Sequence, residues 1–253
     1  MTISTRDWLT FVNRLSSLST RAALELRRWV NAQGGLESIE RQTLIDYVFA
    51  LATKYGEGSS ALAAAWYDAV AEASGKILPP AEPAPTATYA ETAQAVNGVL
   101  KQSGNPDTLA GAVERLVKLP GVDTTLNNAI RDRAEVAWIP HGETCAFCLM
   151  LAGNGFQPAS RRLVRKGHAQ HVHANCDCTY FVRYDDSTTV AGYNPDRYRA
   201  MYDDAPGDRW QDKLNAMRRD LYAENREEIR AQQASAYEKR MELESSAAEE
   251  ADV

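Results

Sequence analysis

"TRDWLTFVNRLSSLSTRAALELRRWVN", residues 5–31, decides the fold class. Trp8, Phe11, Val12, Leu15, Leu18, Ala22, Leu26 and Trp29 recur at steps of three and four. That is the period of one face of an α-helix, and the polar residues between them fill the other face. The segment therefore reads as a long amphipathic helix that must pack against others. Gln33-Gly34-Gly35 ends it.

The same reading extends along the chain. Ser38 serves as an N-cap for a second helix carrying Leu44, Ile45, Val48, Leu51 and Tyr55, which Gly56 and Gly58 break. A third starts at Ser59 or Ser60, carries Leu62, Trp66, Tyr67 and Val70, and closes at Gly75. "ILPPAEPAPTAT", residues 77–88, is proline-rich and reads as a stiff, extended connector. Further helices are predicted near 89–102, 107–118 and 123–137, with Asn105-Pro106-Asp107 and Pro120-Gly121-Val122-Asp123 as the separating signals. From Trp138 to Tyr184 the pattern changes to short segments punctuated by Gly, Pro, Cys and His, and "TYFVRY", residues 179–184, has the composition of a strand. Tyr198, Met201 and Tyr202 mark a short helix. Trp210 to about Glu244 reads as a long charged one, with a thin apolar face of Leu214, Met217, Leu221, Tyr222 and Ile229.

The expected fold class is mainly α: a helical N-terminal body and a long C-terminal helix, with a small zinc-pinned loop and short-strand (α+β) segment between them. The expected divisions are a helical subdomain at 1–76, a linker at 77–88, a domain at 89–205 containing the zinc-binding segment 138–184, and a charged helix with an acidic tail at 206–253.

Bulk composition narrows the function. The chain has 253 residues, 44% of them hydrophobic, which is enough for a core. Its net charge of -6 argues against a generic nucleic-acid binder. No basic stretch leading into an apolar run follows Met1, and no apolar run is long enough to span a bilayer. Synthesis in a reducing cytoplasm is expected, where clustered cysteines favour a metal over disulfides.

All four cysteines fall between 145 and 178. Cys145-Ala-Phe-Cys148 is a CxxC knuckle, and "HVHANCDC", residues 171–178, supplies His173, Cys176 and Cys178. Zinc takes four ligands in a tetrahedron, with thiolates at about 2.3 Å. Five candidates are present. The favoured set is Cys145, Cys148 and Cys176 with either His173 or Cys178. A full set of protein ligands leaves no open position, so the zinc is expected to be structural. Between the two halves, "RRLVRKGHAQH", residues 161–171, presents Arg161, Arg162, Arg165 and Lys166, a basic loop suited to phosphate or to an acidic protein surface.

Catalytic readings are weaker. HExxH, GxSxG, the P-loop and GxGxxG do not occur. His141-Gly142-Glu143 matches the deaminase HxE, but Cys145 follows too closely to set the Glu across a metal from water. His171, His173 and Asn175 beside the cysteines allow a metal-dependent nuclease reading. Ser160, His168 and Asp185 form only a nominal triad.

The stretch "TLNNAIRDRAEVAWIPHGETCAFCLMLAGNGF", residues 125–156, followed by "HVHANCDC", resembles the C-terminal domain of phage Mu F-type minor head proteins of actinobacterial phages. The frame is Arg131-Asp132, Trp138, Pro140, Cys145, Cys148, Gly153, His173, Cys176 and Cys178. "YGEGSSALAAAWYDAV", residues 55–70, and "YNPDRYRAMY", residues 193–202, are also similar to these proteins. The resemblance spans most of residues 5–205. It implies a low-copy virion protein on the capsid interior near the portal, acting in head assembly and DNA packaging or delivery. The implied partners are the portal protein, the major capsid protein and packaged DNA. Some members carry the label capsid maturation protease, which no motif of this chain supports.

Overall fold

The computed structural model describes residues 2–141, 144–161 and 178–227. A two-residue strand, β1 (Thr2–Ile3), leads into helix α1 (Thr5–Ala32). The Ser4 side chain caps α1 by accepting from the Asp7 amide. A single 3-10 turn, Leu36–Ser38, precedes α2 (Arg41–Ala73). Then come α3 (Tyr89–Gln102), closed at its start by a Thr88–Glu91 capping box, and α4 (Pro106–Arg131), with Asn105 as N-cap and Pro106 in the first turn. The remainder is β2 (Glu135–Ile139), α5 (Ala146–Ala152), β3 (Gln157–Pro158), β4 (Thr179–Arg183), β5 (Thr189–Val190), α6 (Pro195–Asp203) and a helix α7 over 210–227. The protein is mainly helical with a small antiparallel sheet, and no helix among the described residues is long and apolar enough to cross a membrane.

Four expectations need correction. The second and third predicted helices are one continuous helix, α2, and the pair predicted around Pro120 is also one, α4. Ser38 lies in the 3-10 turn, and α2 starts after Glu40. Packing explains the first two. A Cβ on Gly56 would lie 3.1 Å from Thr86 Cγ2 and 3.4 Å from Pro120 Cγ, and one on Gly121 would lie 2.6 Å from Ser59 Oγ and 3.3 Å from the Ser59 carbonyl oxygen. Gly56 and Gly121 therefore lie where α2 and α4 cross, whereas Gly58 faces Leu18 of α1. Their missing side chains let two backbones approach, and that packing outweighs the helix-propensity cost of about 1 kcal/mol for a glycine. The fourth correction is at the end of α4. The predicted 123–137 helix stops at Arg131, and residues 135–139 are a strand. Asp132 is the C-cap, Arg133 takes a left-handed φ of 55°, and the Ala134 amide returns to the Ala129 carbonyl, closing the last turn.

Residues 77–88 are extended and lie along α2 and α4. The Ala81 amide donates to Asp68 Oδ1 and the Ala84 amide to Thr124 Oγ1, each at 2.9 Å. Asn128 receives the Glu82 amide and donates to the Glu82 carbonyl, both at 2.9 Å. Arg131 donates to the Pro79 and Pro80 carbonyls, and its guanidinium also pairs with Asp132, whose carboxylate accepts from the Tyr67 hydroxyl at 2.9 Å. Helices from both sides of this strap share the same cores.

Those cores run in series. One lies among α1, α2, α3 and α4, with Leu26, Val30, Leu44, Val48, Leu109 and Val113 buried. The next joins the other ends of α1, α2 and α4 to the sheet. There Phe11 stacks on Trp66 at 4.7 Å and Trp8 meets Phe181 edge-on at 5.6 Å. A third, smaller core sets Ala146 and Leu149 of α5 against Leu214 and Met217 of α7.

Candidate metal centre

The sheet order is β3-β2-β4, and both pairings are antiparallel. Ile139 pairs with Thr179, and a Glu135–Arg183 ion pair closes the other end of that ladder. The register fixes what comes next. Continued by one step, it sets Pro140 opposite Cys178, so the chain leaving β2 meets the chain entering β4. Cys178 Sγ lies 4.0 Å from the His141 carbonyl oxygen and 3.9 Å from Thr144 Oγ1.

Cys145 follows Thr144 and is the N-cap of α5. Cys148 is then the third residue inside the helix. An N-cap side chain and the side chain three residues on face each other, the arrangement a capping box uses. The CxxC spacing thus becomes two sulfur side chains at one end of a short helix. Cys148 and Cys178 are 1% and 4% exposed, Cys145 is half-buried, and all three belong to the core that contains Trp138 and Tyr180. None of the three is in a disulfide.

The fold therefore brings Cys145, Cys148 and Cys178 to one corner. Among the described residues, no three His, Cys, Asp or Glu side chains are gathered closely enough to hold a metal ion. His173 and Cys176 lie outside the described residues, as do Arg162, Arg165 and Lys166 of the basic loop; Arg161 is exposed. The zinc-pinned loop of the sequence reading has no support in the described structure, which contains only part of the donor set.

Other sequence candidates find different uses. His141 Nε2 is 3.1 Å from Asn13 Oδ1 on α1. Asp185 accepts from the Ser187 amide, the Ser187 hydroxyl and the Thr188 hydroxyl, and the Ser187 hydroxyl bond foremost holds its carboxyl below the ordinary range. That carboxylate shapes a turn. Asp132 is buried, which pushes its carboxyl up, but the bonds from Arg131 and Tyr67 outweigh burial and leave it below the ordinary value. Arg131-Asp132 is a structural clamp.

Two contacts were missed by sequence reasoning. The Tyr193 hydroxyl donates to the Ala152 carbonyl at 2.7 Å, and Arg199 donates twice to the Gly153 carbonyl, at 3.0 and 2.9 Å. Together they satisfy the last carbonyls of α5 and hold the CxxC helix in place. A Cβ on Gly153 would sit 2.9 Å from the Arg199 amide nitrogen, so this glycine admits the α6 backbone. The signal was present in "YNPDRYRAMY", but its spacing names no function.

Residues 2–205 match the family model described as VG15 protein. No curated protein and no solved structure matches the chain. The matched span holds the helical body, the sheet, the cysteine corner and α6, and it stops short of α7. It supports the viral character of the sequence resemblance without extending to the Mu F-type minor head assignment. The chain belongs to the VG15 protein family, a family of viral proteins.

Proposed function

We propose that the chain is a minor structural protein of a tailed-phage head, placed on the capsid interior near the portal and acting in head assembly and in DNA packaging or delivery. The observation that carries this reading is membership of a viral protein family over residues 2–205. Its partners on this reading are the portal protein, the major capsid protein and packaged DNA. The part played by the 138–184 segment is to hold a docking surface in a fixed shape.

A structural Zn2+ belongs to the same proposal. Its ligands are Cys145, Cys148 and Cys176, with His173 or Cys178 as the fourth. The place of Cys178 speaks for it: its sulfur lies near the His141 carbonyl and the Thr144 hydroxyl, next in the chain to the N-cap Cys145. His173 and Cys176 precede Cys178 by five and two residues, and chain length alone keeps them within about 18 and 7 Å of it. Four thiolate and imidazole ligands suit zinc, and they leave no position for a reacting water.

The test measures zinc per chain in the purified protein, then melting before and after strong chelation. About one zinc is expected, with loss of the segment when it is removed. Heads purified from infected cells should contain the chain at low copy, and it should co-sediment with portal rings. Zinc-free protein with an unchanged melt sinks the metal, and heads lacking the chain sink the head assignment. Cleavage of major capsid protein or of DNA by the purified chain, abolished by His171→Ala, would put an enzyme in their place: a maturation protease or a metal-dependent nuclease.

A further inference from the structure

The outward face of α1 carries an unusual charge arrangement for an acidic protein. Arg14, Arg21 and Arg28 are exposed and stand seven residues apart. On a helix that places them on one stripe, about 10.5 Å from one to the next. The buried residues Trp8, Val12, Ser19, Ala23, Leu26 and Val30 define the opposite side of α1. None of the three arginines pairs with a carboxylate among the described residues, whereas neighbouring Arg27 is held by Asp107 at 3.1 Å and Lys54 by Glu25 at 3.0 Å.

Beside the stripe lies a groove of about 640 Å³, lined by Arg21, Leu24, Arg28, Trp29, Tyr47 and Tyr55 together with Glu25. Trp29 and Tyr47 stack with centroids 4.0 Å apart and planes 15° apart. Glu25 accepts from Tyr55 at 2.6 Å and from Lys54, and these bonds, Tyr55 foremost, hold it ionised with its charge offset locally.

Guanidinium groups beside an aromatic platform are the components of a single-strand nucleic-acid surface: phosphates take the planar forks and a base takes the ring face. An acidic helix fits less well. Helix docking needs apolar anchors at three- and four-residue steps, but on this face Leu24, 44% exposed, is the only large apolar side chain in the open. We propose that the α1 stripe and the Trp29–Tyr47 groove form a binding site for single-stranded nucleic acid, with phosphates on Arg14, Arg21 and Arg28 and a base against the aromatic pair. This site uses no residue of the cysteine corner, so its failure leaves the head-protein reading standing.

The experiment is fluorescence anisotropy of the full chain with a labelled oligothymidylate of about 20 nucleotides, titrated across salt concentrations. Three phosphate contacts on a single strand give a log–log salt slope of about -2. The triple variant Arg14→Ala/Arg21→Ala/Arg28→Ala should bind at least about tenfold more weakly with a nearly flat slope, and the three-lysine version should recover the slope. Trp29→Leu should weaken the single strand and leave a duplex of equal length unaffected. All three arginines are exposed, so the melting curve of the triple variant should match wild type. Neutralising Arg161, Arg162, Arg165 and Lys166 should leave binding intact. No binding by wild type overturns the proposal, as does a triple variant that binds normally. Preference for duplex, or equal competition by polyglutamate, overturns it as well.

Discussion

The helical body and the sheet segment use glycine and proline in opposite ways. In the body, Gly56, Pro120 and Gly121 sit inside helices, at the crossing of α2 and α4. In the segment, Pro140 follows the end of β2 and Gly153 is the C-cap of α5. The residue types are the same, but only the body has a second long helix at hand to receive the close approach. Gly153 also admits a neighbour, the α6 backbone, but it does so at a helix end rather than inside a helix. The two regions differ in resources as well. The body buries continuous apolar faces along helices of 28, 33 and 26 residues, whereas the segment has strands of two to five residues and a helix of seven. Elements that short depend on a partner or on a covalent or metal staple.

That contrast can be broken outright by chelation. If zinc holds the segment, its removal should abolish the near-ultraviolet signal of Trp138 and Tyr180, which meet edge-on at 4.9 Å, while helical circular dichroism from the body persists. A single cooperative collapse of both regions would erase the distinction. Next in size is Gly121→Val. With Ser59 Oγ at 2.6 Å and a backbone oxygen at 3.3 Å from the first added carbon, the helices must separate, at a cost of about 3 kcal/mol in denaturant unfolding. An unchanged midpoint would mean that the crossing is looser than described.

Acid titration sharpens the comparison by sign. Burial, helped by the nearby Glu91 charge, pushes the half-buried Asp123 carboxyl in the body up to about 6. Burial disfavours the charged form, so the folded state keeps this proton to higher pH than the unfolded chain does, and the group favours folding most at low pH. Its contribution is present below about pH 4, the unfolded value, and is lost as pH rises through about 6. Asp123→Asn should therefore raise stability at neutral pH and flatten the slope across that window. Asp185 in the segment is lowered, so its contribution has the opposite sense and is lost as pH falls. The smallest effect expected is from Gly98→Ala in α3. Outside its own turn of helix, nothing among the described residues lies within 4 Å of the added methyl, so propensity acts alone and stability should rise by about 0.5–1 kcal/mol.

Helical periodicity was legible wherever it ran unbroken, as in α1, whose buried Trp8, Phe11, Val12, Ala22 and Leu26 were named by spacing alone. Continuity through Gly56 and Pro120 was not legible, because it depends on a residue far away in sequence. The Pro-rich strap was readable as extended, but its docking was not: its receptors Asp68, Thr124 and Asn128 are polar residues scattered on two helices. At the site, CxxC spacing revealed the Cys145–Cys148 pair, and "TYFVRY" revealed the strand that delivers Cys178. The strand opposite, Glu135–Ile139, stayed hidden as the apparent end of a helix, since "EVAWI" fits both periods.

The first strand has a consequence for how the chain is made. Thr2 and Ile3 pair in parallel with Thr189 and Val190, so β1 waits for its partner until every element between the two has been made. At about 5–20 residues per second, the long helices have several seconds to find one another before β5 emerges. Synthesis thus lets the helices between them pack first, and the β1–β5 pair acts as a late latch that registers completion of everything between its two halves.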